Sequence, residues 1–352
     1  MKTALIGMSG GVDSSVSAYL ALQAGLQCIG ATMRLFEAPC GCCAPDHTED
    51  ARKICQHLGI PFHIMDFSED FRNLVMDRFA AAYESGLTPN PCIECNKHLK
   101  FSRFLDAGLQ MGCDYIVTGH YARIRHDEKS GRYLLCKAAD ESKDQSYFLA
   151  SLTQHQLSHT LFPLGELAKT EVRKIAEEQG FVNSKKRDSQ DICFIPDGDY
   201  YSFLKNHTGK SYPAGNYLDL QGNAVGKHQG AAAYTIGQRK GLGVALGQPM
   251  YVCDKDMIAN TVTLGPNEAL FRTSLLADNW NWIAIPSLQK PIPVSAKARS
   301  RMAAQAATVY PEENGCARVV FDEPQRAITP GQAVVLYDGD VVVGSGTITK
   351  AL

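Results

Sequence analysis

The chain has 352 residues, of which 45% are hydrophobic and 20% are charged, and its formal net charge is −2. At roughly 150 residues per domain, this length predicts two or three domains with ample core, which excludes intrinsic disorder. The near-neutral charge excludes a basic coat over the whole surface, so any nucleic-acid site must be a local patch.

The sequence also lacks the patterns typical of membrane and exported proteins. It has no apolar run of about 18 residues, the length that a transmembrane helix needs. The apolar stretch near the first residue gives way to glycines too soon for a signal peptide. We therefore expect a cytoplasmic protein with no membrane partner, whose cysteines are reduced.

Strand and helix signals alternate along the first part of the chain. The apolar run 3–8 predicts a strand, and an amphipathic helix is expected over about 13–24 after the glycine pair. Further strands are predicted over 28–35, 61–67 and 114–118, and a helix over about 96–111. This βαβα alternation predicts an α/β fold with a doubly wound parallel sheet.

The second half of the chain has a different texture. Glycine, tyrosine and short alternating runs follow Pro196. Short strands are then predicted over 294–301, 307–310, 317–321, 333–337 and 341–348. Short strands separated by turns predict a small barrel or sandwich. We expect domain boundaries near 200 and 271, which gives domains 1–200, 201–271 and 272–352.

A glycine-rich loop, SGGVDSS, occupies residues 9–15 between the first predicted strand and helix. Backbone N–H groups of such a loop can approach a phosphate, and the helix N-terminus adds partial positive charge. The sequence lacks the lysine of a GxxxxGK[ST] P-loop and the GxGxxG dinucleotide fingerprint. Asp13 would repel bare phosphate but suits a pyrophosphate bridged by Mg²⁺.

The 12 cysteines fall into groups with different predicted roles. We expect six of them to be small buried hydrophobic residues: Cys28, Cys55, Cys113, Cys136, Cys253 and Cys316. Cys92 and Cys95 form a CxxC, and Cys95 immediately precedes a predicted helix with Lys97 and Lys100 nearby, features that lower a thiol pKa. Cys193 follows the basic triplet 185–187. These surroundings predict nucleophilic thiols at Cys95 and Cys193.

Two levels of family resemblance follow from these motifs. SGGVDSS at the end of the first strand resembles the PP-loop of N-type ATP pyrophosphatases. Together with other segments it resembles the tRNA-specific 2-thiouridylase family over nearly the whole chain. The matching segments are GMSGGVDSS (7–15), TPNPCIECNKHLKF (88–101), VTGHYAR (117–123), KDQSYFL (143–149), FPLGEL (162–167), KKRDSQDICFI (185–195), HQGAAAYTIGQRKGLG (228–243) and FDEPQRAITPGQ (321–332).

The resemblance implies a reaction, its partners and a fold. The fold would be a PP-loop ATP pyrophosphatase domain, a small central domain and a C-terminal β-barrel-like domain. The family adenylates the C2 oxygen of the wobble uridine in tRNA Lys, Glu and Gln with ATP and Mg²⁺. A persulfide on Cys193 then supplies sulfur, AMP leaves, and Cys95 and Cys193 end as a disulfide. A cysteine desulfurase or sulfur-relay protein is the implied donor.

The resemblance also implies which residues contact each substrate. Catalysis falls to Cys95 and Cys193. The residues that match ATP-contacting positions are Gly7, Met8, Ser9, Gly10, Gly11, Val12, Asp13, Ser14, Met33 and Gly119. Those that match positions contacting tRNA or its target base are Asn90, Pro91, Cys92, His120, Lys143, Asp144, Gln145, Arg299, Ser300 and Gln332.

Ser300 departs from the family pattern, in which an aromatic residue often follows the arginine, and serine has no ring that could stack on a base. Lys297, Arg299 and Arg301 alternate along a predicted strand and would share one face. Such a row of charges suits contact with phosphates. The alternative is a solvated edge strand whose charges prevent edge-to-edge pairing.

The sequence leaves several alternatives open. Cys92, Cys95 and Cys193 could hold a [4Fe–4S] cluster with one iron open to sulfur, which would give the same product without a disulfide. Zinc could bind the CxxC, with ligands from Cys40, Cys42 or Cys43. Other PP-loop RNA modifiers, such as a 4-thiouridine or lysidine synthetase, are the runner-up enzymes. A zinc-dependent RNA-binding module without catalysis is the alternative from another class.

Overall fold

The structure is a computed structural model that describes residues 1–36, 45–186, 192–196, 198–244 and 247–352. Cys40, Cys42 and Cys43, for which a zinc site was one hypothesis, lie outside the described residues. Within those ranges, no helix has both the length and the apolar character needed to cross a membrane.

Strands and helices are numbered in chain order over the described residues. The strands are β1 (Thr3–Gly7), β2 (Gln27–Arg34), β3 (Phe62–Asp66), β4 (Tyr115–Val117), β5 (Arg123–Asp127), β6 (Arg132–Cys136), β7 (Thr160–Leu161), β8 (Gly215–Leu218), β9 (Ala224–His228), β10 (Tyr251–Asp256), β11 (Thr261–Gly265), β12 (Phe271–Trp282), β13 (Ile292–Lys297), β14 (Gln305–Pro311), β15 (Ala317–Arg326), β16 (Ala333–Asp338) and β17 (Val341–Ala351). The α-helices are α1 (Val12–Gln23), α2 (Pro45–His57), α3 (Ser68–Phe71), α4 (Asp77–Glu84), α5 (Pro91–Cys95), α6 (Phe104–Gln110), α7 (Ser146–Leu149), α8 (Gln154–Ser158), α9 (Lys169–Glu178) and α10 (Tyr200–Thr208).

The first domain contains a parallel sheet with the strand order β3-β2-β1-β4-β7. β1 is central, and its apolar residues Ala4, Leu5 and Ile6 are fully buried. The chain runs outward from β1 through β2 to β3 and then returns to place β4 on the other side of β1. Loops at the carboxyl ends of β1 and β4 therefore diverge, which opens the crevice where such sheets bind ligands. The predicted doubly wound parallel sheet is confirmed.

The helix that carries the CxxC begins earlier than the sequence analysis predicted. α5 starts at Pro91, and a π-helical stretch over Asn96–Arg103 joins it to α6. The predicted start at about residue 96 is therefore wrong. Asn90 caps the helix, because its side-chain oxygen accepts a hydrogen bond from the Ile93 N–H, and Pro91 takes the first helical position where proline is favoured.

The remaining strands build a small sheet and a barrel. The central segment forms the sheet β10-β11-β8-β9, preceded by α10, which the sequence analysis did not predict. In the last segment, the order β12-β15-β14-β13-β16-β17 is closed by pairing of β12 with β17, which confirms the predicted barrel. The β5–β6 hairpin of the first domain joins this barrel sheet, where Cys136 pairs with Val341.

One predicted strand is shorter than expected, with consequences for its charges. The sequence predicted a strand over 294–301, but β13 ends at Lys297 and the chain turns, with the Met302 N–H donating to the Arg299 carbonyl. Arg299 therefore does not lie on one strand face with Lys297 and Arg301, and the predicted row of three cations is wrong. The physical reason is that Arg299 turns inward, where its guanidinium donates to the Ile236 carbonyl.

Candidate active site

The glycine-rich loop lies at the carboxyl end of β1 and leads directly into α1. The Ser14 hydroxyl donates to the Gly11 carbonyl at 2.9 Å, and the Ser9 and Ser14 hydroxyl oxygens are 3.2 Å apart. Gly10 has a φ of +72°, and a Cβ there would stand 2.1 Å from the His47 carbonyl oxygen. Only glycine fits this turn, and a glycine-rich loop of this kind can offer backbone N–H groups to a phosphate.

Two other residues predicted to contact ATP lie beside this loop. Met33 stands near the end of β2, the neighbour of β1. Gly119 follows β4, and a Cβ there would stand 2.8 Å from the Asp13 carbonyl carbon and from the Ser14 nitrogen. The carboxyl ends of three adjacent strands thus bring together the loop, Met33 and Gly119, which the sequence analysis had assigned to a single ATP site.

Asp13 makes contacts that the sequence did not suggest. The Lys169 ammonium lies 2.7 and 2.8 Å from the two Asp13 carboxylate oxygens, and the Tyr121 hydroxyl donates to one of them at 2.8 Å. Lys169 and Tyr121 are both buried. The carboxylate at the start of α1 is therefore charge-balanced by the protein, which removes much of its repulsion toward a phosphate.

A second pair of side chains holds the loop from the other side. Asn183 donates its side-chain amide to the Gly10 carbonyl at 3.1 Å and to the Ser15 hydroxyl at 3.0 Å. Lys186 reaches the same Gly10 carbonyl at 3.3 Å and forms an ion pair with Asp50 at 2.8 Å. In a trans peptide the carbonyl and the following N–H point in opposite directions. Fixing the Gly10 carbonyl therefore fixes the direction of the Gly11 N–H.

A cleft of about 630 Å³ lies where the three segments of the chain meet. Five residues predicted to contact tRNA or its base line it: Asn90, Pro91, Cys92, Arg299 and Gln332. The central segment contributes further polar and aromatic lining residues that sequence reasoning missed, among them Tyr200, Gln229, Thr235 and Gln238. The structure therefore brings these five predicted residues to one cavity, although more than two hundred residues separate Cys92 from Arg299 in the sequence.

The two cysteines of the CxxC have different environments on the same helix. Cys92 lies in the first turn of α5 and is exposed toward the cleft, whereas Cys95 ends α5 and is buried. The expectation that Cys95 stands just before a helix N-terminus is wrong, because the helix starts one turn earlier at Pro91. It is Cys92 that occupies the first turn, near the positive end of the helix dipole.

Cys193 is brought to the same region by its neighbour in sequence. The Phe194 ring lies 5.6 Å from that of Phe71 and 5.5 Å from that of Phe79, edge-on to each. Phe194 packs against the apolar cluster that contains Cys95 and Leu99. This anchor holds the exposed Cys193 beside the helix of the CxxC, although about a hundred residues separate them in the chain.

The thiol pKa values differ in direction from the sequence-based expectation. Desolvation by the surrounding protein raises the pKa of Cys92 and of Cys95, an effect that the positive charge of Lys100 opposes. Although Cys193 is partly open to solvent, desolvation of its thiol, followed by the charges of Cys95 and Cys92, raises its pKa to about 12. The predicted lowering of the Cys95 pKa is therefore wrong, because burial outweighs the nearby lysine.

The placement of the cysteine side chains tests whether they could ligate an iron–sulfur cluster or a zinc ion. In the part of the chain that the structure describes, which includes Cys92, Cys95 and Cys193, no group of three or more His, Cys, Asp or Glu side chains is arranged to hold a metal ion. The three thiols lie near enough for their charges to interact. As placed, they do not form the convergent ligand set that a cluster needs.

Four predicted tRNA-contacting residues lie in two adjoining segments, the one that follows β4 and the loop before α7. Burial lowers the pKa of His120 well below its usual value, so it is neutral, and its Nδ1 is 2.8 Å from the Thr118 hydroxyl. Asp144 accepts hydrogen bonds from Ala138 and Ser146, and Gln145 accepts one from the Tyr121 N–H. Lys143 is half-buried in the same loop. Asp144 and Gln145 therefore shape this loop in addition to any contact with RNA.

Arg299 combines an anchored guanidinium with an unused donor. Its Nη2 donates to the Ile236 carbonyl at 2.9 Å and to the Thr329 hydroxyl. Within the described residues, its buried Nε has no hydrogen-bond partner. Ser300 lies in the turn that follows β13 and is half-buried.

Three family models match consecutive parts of the chain. Residues 2–197 match the tRNA methyl transferase HUP domain, residues 201–266 the tRNA methyl transferase PRC-barrel domain, and residues 272–348 the aminomethyltransferase beta-barrel domain. The middle and last matches correspond to the small sheet and to the barrel.

Curated relatives match over the full length. The chain is 50% identical to the tRNA-specific 2-thiouridylase MnmA of Clostridioides difficile (strain 630), over 100% of this chain and 99% of the relative. It is 49% identical to the protein of the same name from Symbiobacterium thermophilum, over 100% of this chain and 93% of the relative. Among solved structures, it is similar to the U34-tRNA thiolase NcsA from Methanococcus maripaludis with its [4Fe-4S] cluster, at 18% identity and a TM-score of 0.35, over 59% of this chain and 71% of that one.

Proposed function

The chain belongs to the tRNA-specific 2-thiouridylase family and is a tRNA-uridine sulfurtransferase, and from this premise we propose how its residues perform the reaction. The substrate is the wobble uridine, position 34, of tRNA Lys, Glu and Gln. ATP activates the C2 oxygen of that uridine, and Cys193 delivers the sulfur that replaces it. The observation that carries the proposal is the packing of the Cys193 segment, through Phe194, against the helix of Cys92 and Cys95.

The first step is adenylation at the glycine-rich loop. The C2 oxygen attacks the α-phosphorus of ATP, the bond to the β-phosphate breaks, and pyrophosphate leaves. A carbonyl oxygen is a poor leaving group, whereas AMP is a good one, so this step prepares the exchange of oxygen for sulfur. The N–H groups of the loop and the N-terminus of α1 stabilise the phosphate charge. The crevice at β1 and β4 supports this placement of ATP.

Mg²⁺ enters this scheme with the nucleotide. Asp13 already accepts hydrogen bonds from Lys169 and Tyr121, and the described residues include no cluster of acidic side chains suited to a cation. Mg²⁺ is commonly bound through substrate phosphates and only one or two carboxylates. We therefore assign Mg²⁺ to the ATP complex and not to a preformed protein site.

The second step transfers sulfur by thiol–disulfide chemistry. The terminal sulfur of a Cys193 persulfide attacks C2, and AMP departs with the former C2 oxygen. Cys95 then gives its proton to solvent, with its thiolate stabilised by the charge of Lys100, and attacks Cys193 Sγ. The bond between that sulfur and the transferred sulfur breaks, and its electron pair remains on the sulfur bound to C2. The products are 2-thiouridine and a Cys95–Cys193 disulfide, which an external dithiol reduces before the next cycle.

The immediate sulfur donor is a cysteine desulfurase or a relay protein that carries a persulfide. The exposure of Cys193 supports such loading, because the donor's sulfur must reach it from solution. The tRNA substrates and this donor place the reaction in the cytoplasm.

The iron–sulfur alternative shares the product but not the residue roles. It requires Cys92, Cys95 and Cys193 to converge as ligands, and their present placement does not fit that set. The disulfide route needs only two of the three thiols to meet, and the proximity of Cys95 to Cys193, close enough for their charges to interact, supports it.

The experiment that tests the proposed reaction is a reconstitution with purified protein. ATP, Mg²⁺, a persulfide donor and a tRNA Lys transcript are mixed, and thiolated RNA is resolved on an organomercury gel. We expect a retarded band that requires ATP and appears with one AMP per thiolated tRNA. A transcript with cytidine at position 34 is the matched control. Absence of the band, when the protein binds both ATP and tRNA, would contradict the proposal.

A further inference from the structure

A turn of the barrel, Pro330–Gln332, is hydrogen-bonded to the loop that leads into α5, the helix that carries the CxxC. The Thr88 N–H donates to the Pro330 carbonyl at 2.9 Å. The side-chain amide of Gln332 donates to the Thr88 carbonyl at 2.8 Å and to the Pro89 carbonyl at 3.3 Å. These contacts join segments that are more than two hundred residues apart, and each of them ends on the loop backbone.

The turn itself is rigidly held by the barrel. The Gly331 N–H donates to the Ile348 carbonyl, and the Ile348 N–H donates to the Gln332 carbonyl, each at 2.8 Å. Gly331 has a φ of +90°, and a Cβ there would stand 2.9 Å from the Thr88 nitrogen. The turn and the loop are therefore in backbone contact, with Gln332 fixed on the side of the barrel.

The loop bound by this turn leads directly to the N-cap of α5 and so determines where the helix starts. Thr88 and Pro89 immediately precede Asn90, the N-cap of α5, and Cys92 lies two residues farther on. A shift of the Thr88 and Pro89 carbonyls moves the cap, and with it the first helical turn that presents Cys92 to the cleft. The Gln332 amide thus acts on the same structural unit that orients the CxxC.

We propose that Gln332 is a positioning residue, which holds the Thr88–Asn90 loop so that the first turn of α5 faces the target base. This role differs from the direct tRNA contact that the family resemblance implies, because the Gln332 donor is engaged by the loop. The inference rests on the proposed function for its link to thiolation. Its structural part, control of the CxxC by the barrel, is measurable without tRNA or ATP.

The test compares Gln332→Ala and Gln332→Glu with the wild-type full chain. Glutamate has nearly the same shape but cannot donate, and it places a carboxylate against two carbonyl oxygens. Alkylation of Cys92 by iodoacetamide is followed by peptide mass spectrometry in the absence of tRNA. The single-turnover thiolation rate and the tRNA Kd are measured in parallel. Gln221→Ala, which alters an exposed glutamine of the central segment outside the cleft lining, is the control for the labelling rate.

We expect both Gln332 variants to change the tRNA-free labelling rate of Cys92 by about threefold or more, and to slow thiolation by about fivefold to tenfold, as the loss of hydrogen bonds of ordinary strength predicts. The tRNA Kd should stay within about twofold of wild type, since no RNA contact is removed. Gln221→Ala should leave the labelling rate unchanged. Gly331→Ala, which pushes on Thr88 from the other side, should also change it, and thermal melting confirms that each variant is folded.

A weaker tRNA Kd with unchanged Cys92 labelling would overturn the proposal and identify Gln332 as a tRNA contact. Unchanged labelling and unchanged thiolation would overturn it as well. If the wild-type protein thiolates no tRNA, the proposed function fails, and the labelling comparison still decides whether Gln332 positions the loop.

Discussion

The Lys169 ammonium forms an ion pair with both carboxylate oxygens of Asp13, at 2.7 and 2.8 Å, in the first turn of the helix that follows the glycine-rich loop. Lys169 begins α9, more than 150 residues away in sequence. The loop itself carries no lysine, so its local positive charge comes from the N-terminus of α1 and from the distant side chains Lys169 and Lys186. ATP binding is therefore expected to depend on Lys169.

Lys169→Met tests this dependence. Removing the ammonium leaves Asp13 unbalanced beside the phosphates, and we expect the ATP Kd to rise about tenfold, since hydrogen bonds to charged groups contribute about 1.5–3 kcal/mol. Calorimetric titration with ATP measures the change. Lys174→Met, on the same helix but largely exposed, is the matched control and should bind ATP as wild type does. Equal affinity of the Lys169 variant and the control would contradict the role assigned to the ion pair.

Asn183→Ala tests the support of the loop from its other side. Loss of the hydrogen bonds to the Gly10 carbonyl and the Ser15 hydroxyl frees the peptide that orients the Gly11 N–H. We expect the ATP Kd to rise about fivefold, at about 1 kcal/mol for a net hydrogen bond, while tRNA binding is unchanged. Val182→Ala, at the exposed neighbouring position, should leave both affinities unchanged. An ATP affinity equal to wild type in Asn183→Ala would show that Asn183 does not position the loop.

The raised thiol pKa values predict how cysteine reactivity changes with pH. A thiol reacts as its thiolate, and the pKa of Cys193 is raised to about 12, so it remains mostly protonated through pH 7–10. The alkylation rate of Cys193 should therefore increase about tenfold per pH unit across that range, whereas an ordinary thiol with a pKa of about 8.5 levels off near pH 9. Mass spectrometry of the alkylated peptide follows the rate. A plateau by pH 8 would mean that a cation near Cys193 overcomes its desolvation.

Cys92→Asp separates the two sulfur-transfer routes. In the disulfide route Cys92 neither carries nor receives sulfur, and aspartate is favourable in the first turn of a helix. We expect the variant to bind ATP and tRNA and to retain most of the thiolation rate on the organomercury gel. Cys92→Ala controls for loss of the side chain. Complete loss of thiolation in both variants, with binding intact, would favour a role for Cys92 as a cluster ligand.

The parts of the site that the sequence predicted are those with a local signal. The glycine-rich loop, the strand before it and the helix after it depend on neighbouring residues, and the structure has them as expected. Asn90 followed by Pro91 is also a local helix-start signal. It would have placed the beginning of α5 correctly, but the prediction started the helix after Cys95 instead.

The rest of the site depends on contacts between distant segments. Tyr121 and Lys186 lie in segments that carry the family resemblance, but no local pattern assigns these side chains to the loop. The same holds for Lys169 and Asn183, and only the folded chain brings the four residues to the loop. In the same way, the alternation of charged residues around Arg299 predicted that they share one face of a strand. In the structure, a hydrogen bond to the Ile236 carbonyl of the central segment turns the Arg299 side chain inward. Burial of Cys95 by elements from elsewhere in the chain likewise reversed the predicted direction of its pKa shift.

The central claim is that sulfur passes from Cys193 to the uridine and leaves Cys193 joined to Cys95. The most direct measurement is a single turnover of protein carrying a ³⁵S-labelled persulfide on Cys193, with ATP and tRNA Lys and without reductant. Nucleoside analysis then locates the label, and peptide mapping identifies the cysteine products. We predict labelled 2-thiouridine, one Cys95–Cys193 disulfide per thiolated tRNA, and neither product from Cys193→Ser. Labelled 2-thiouridine accompanied by fully reduced Cys95 and Cys193 would contradict the account.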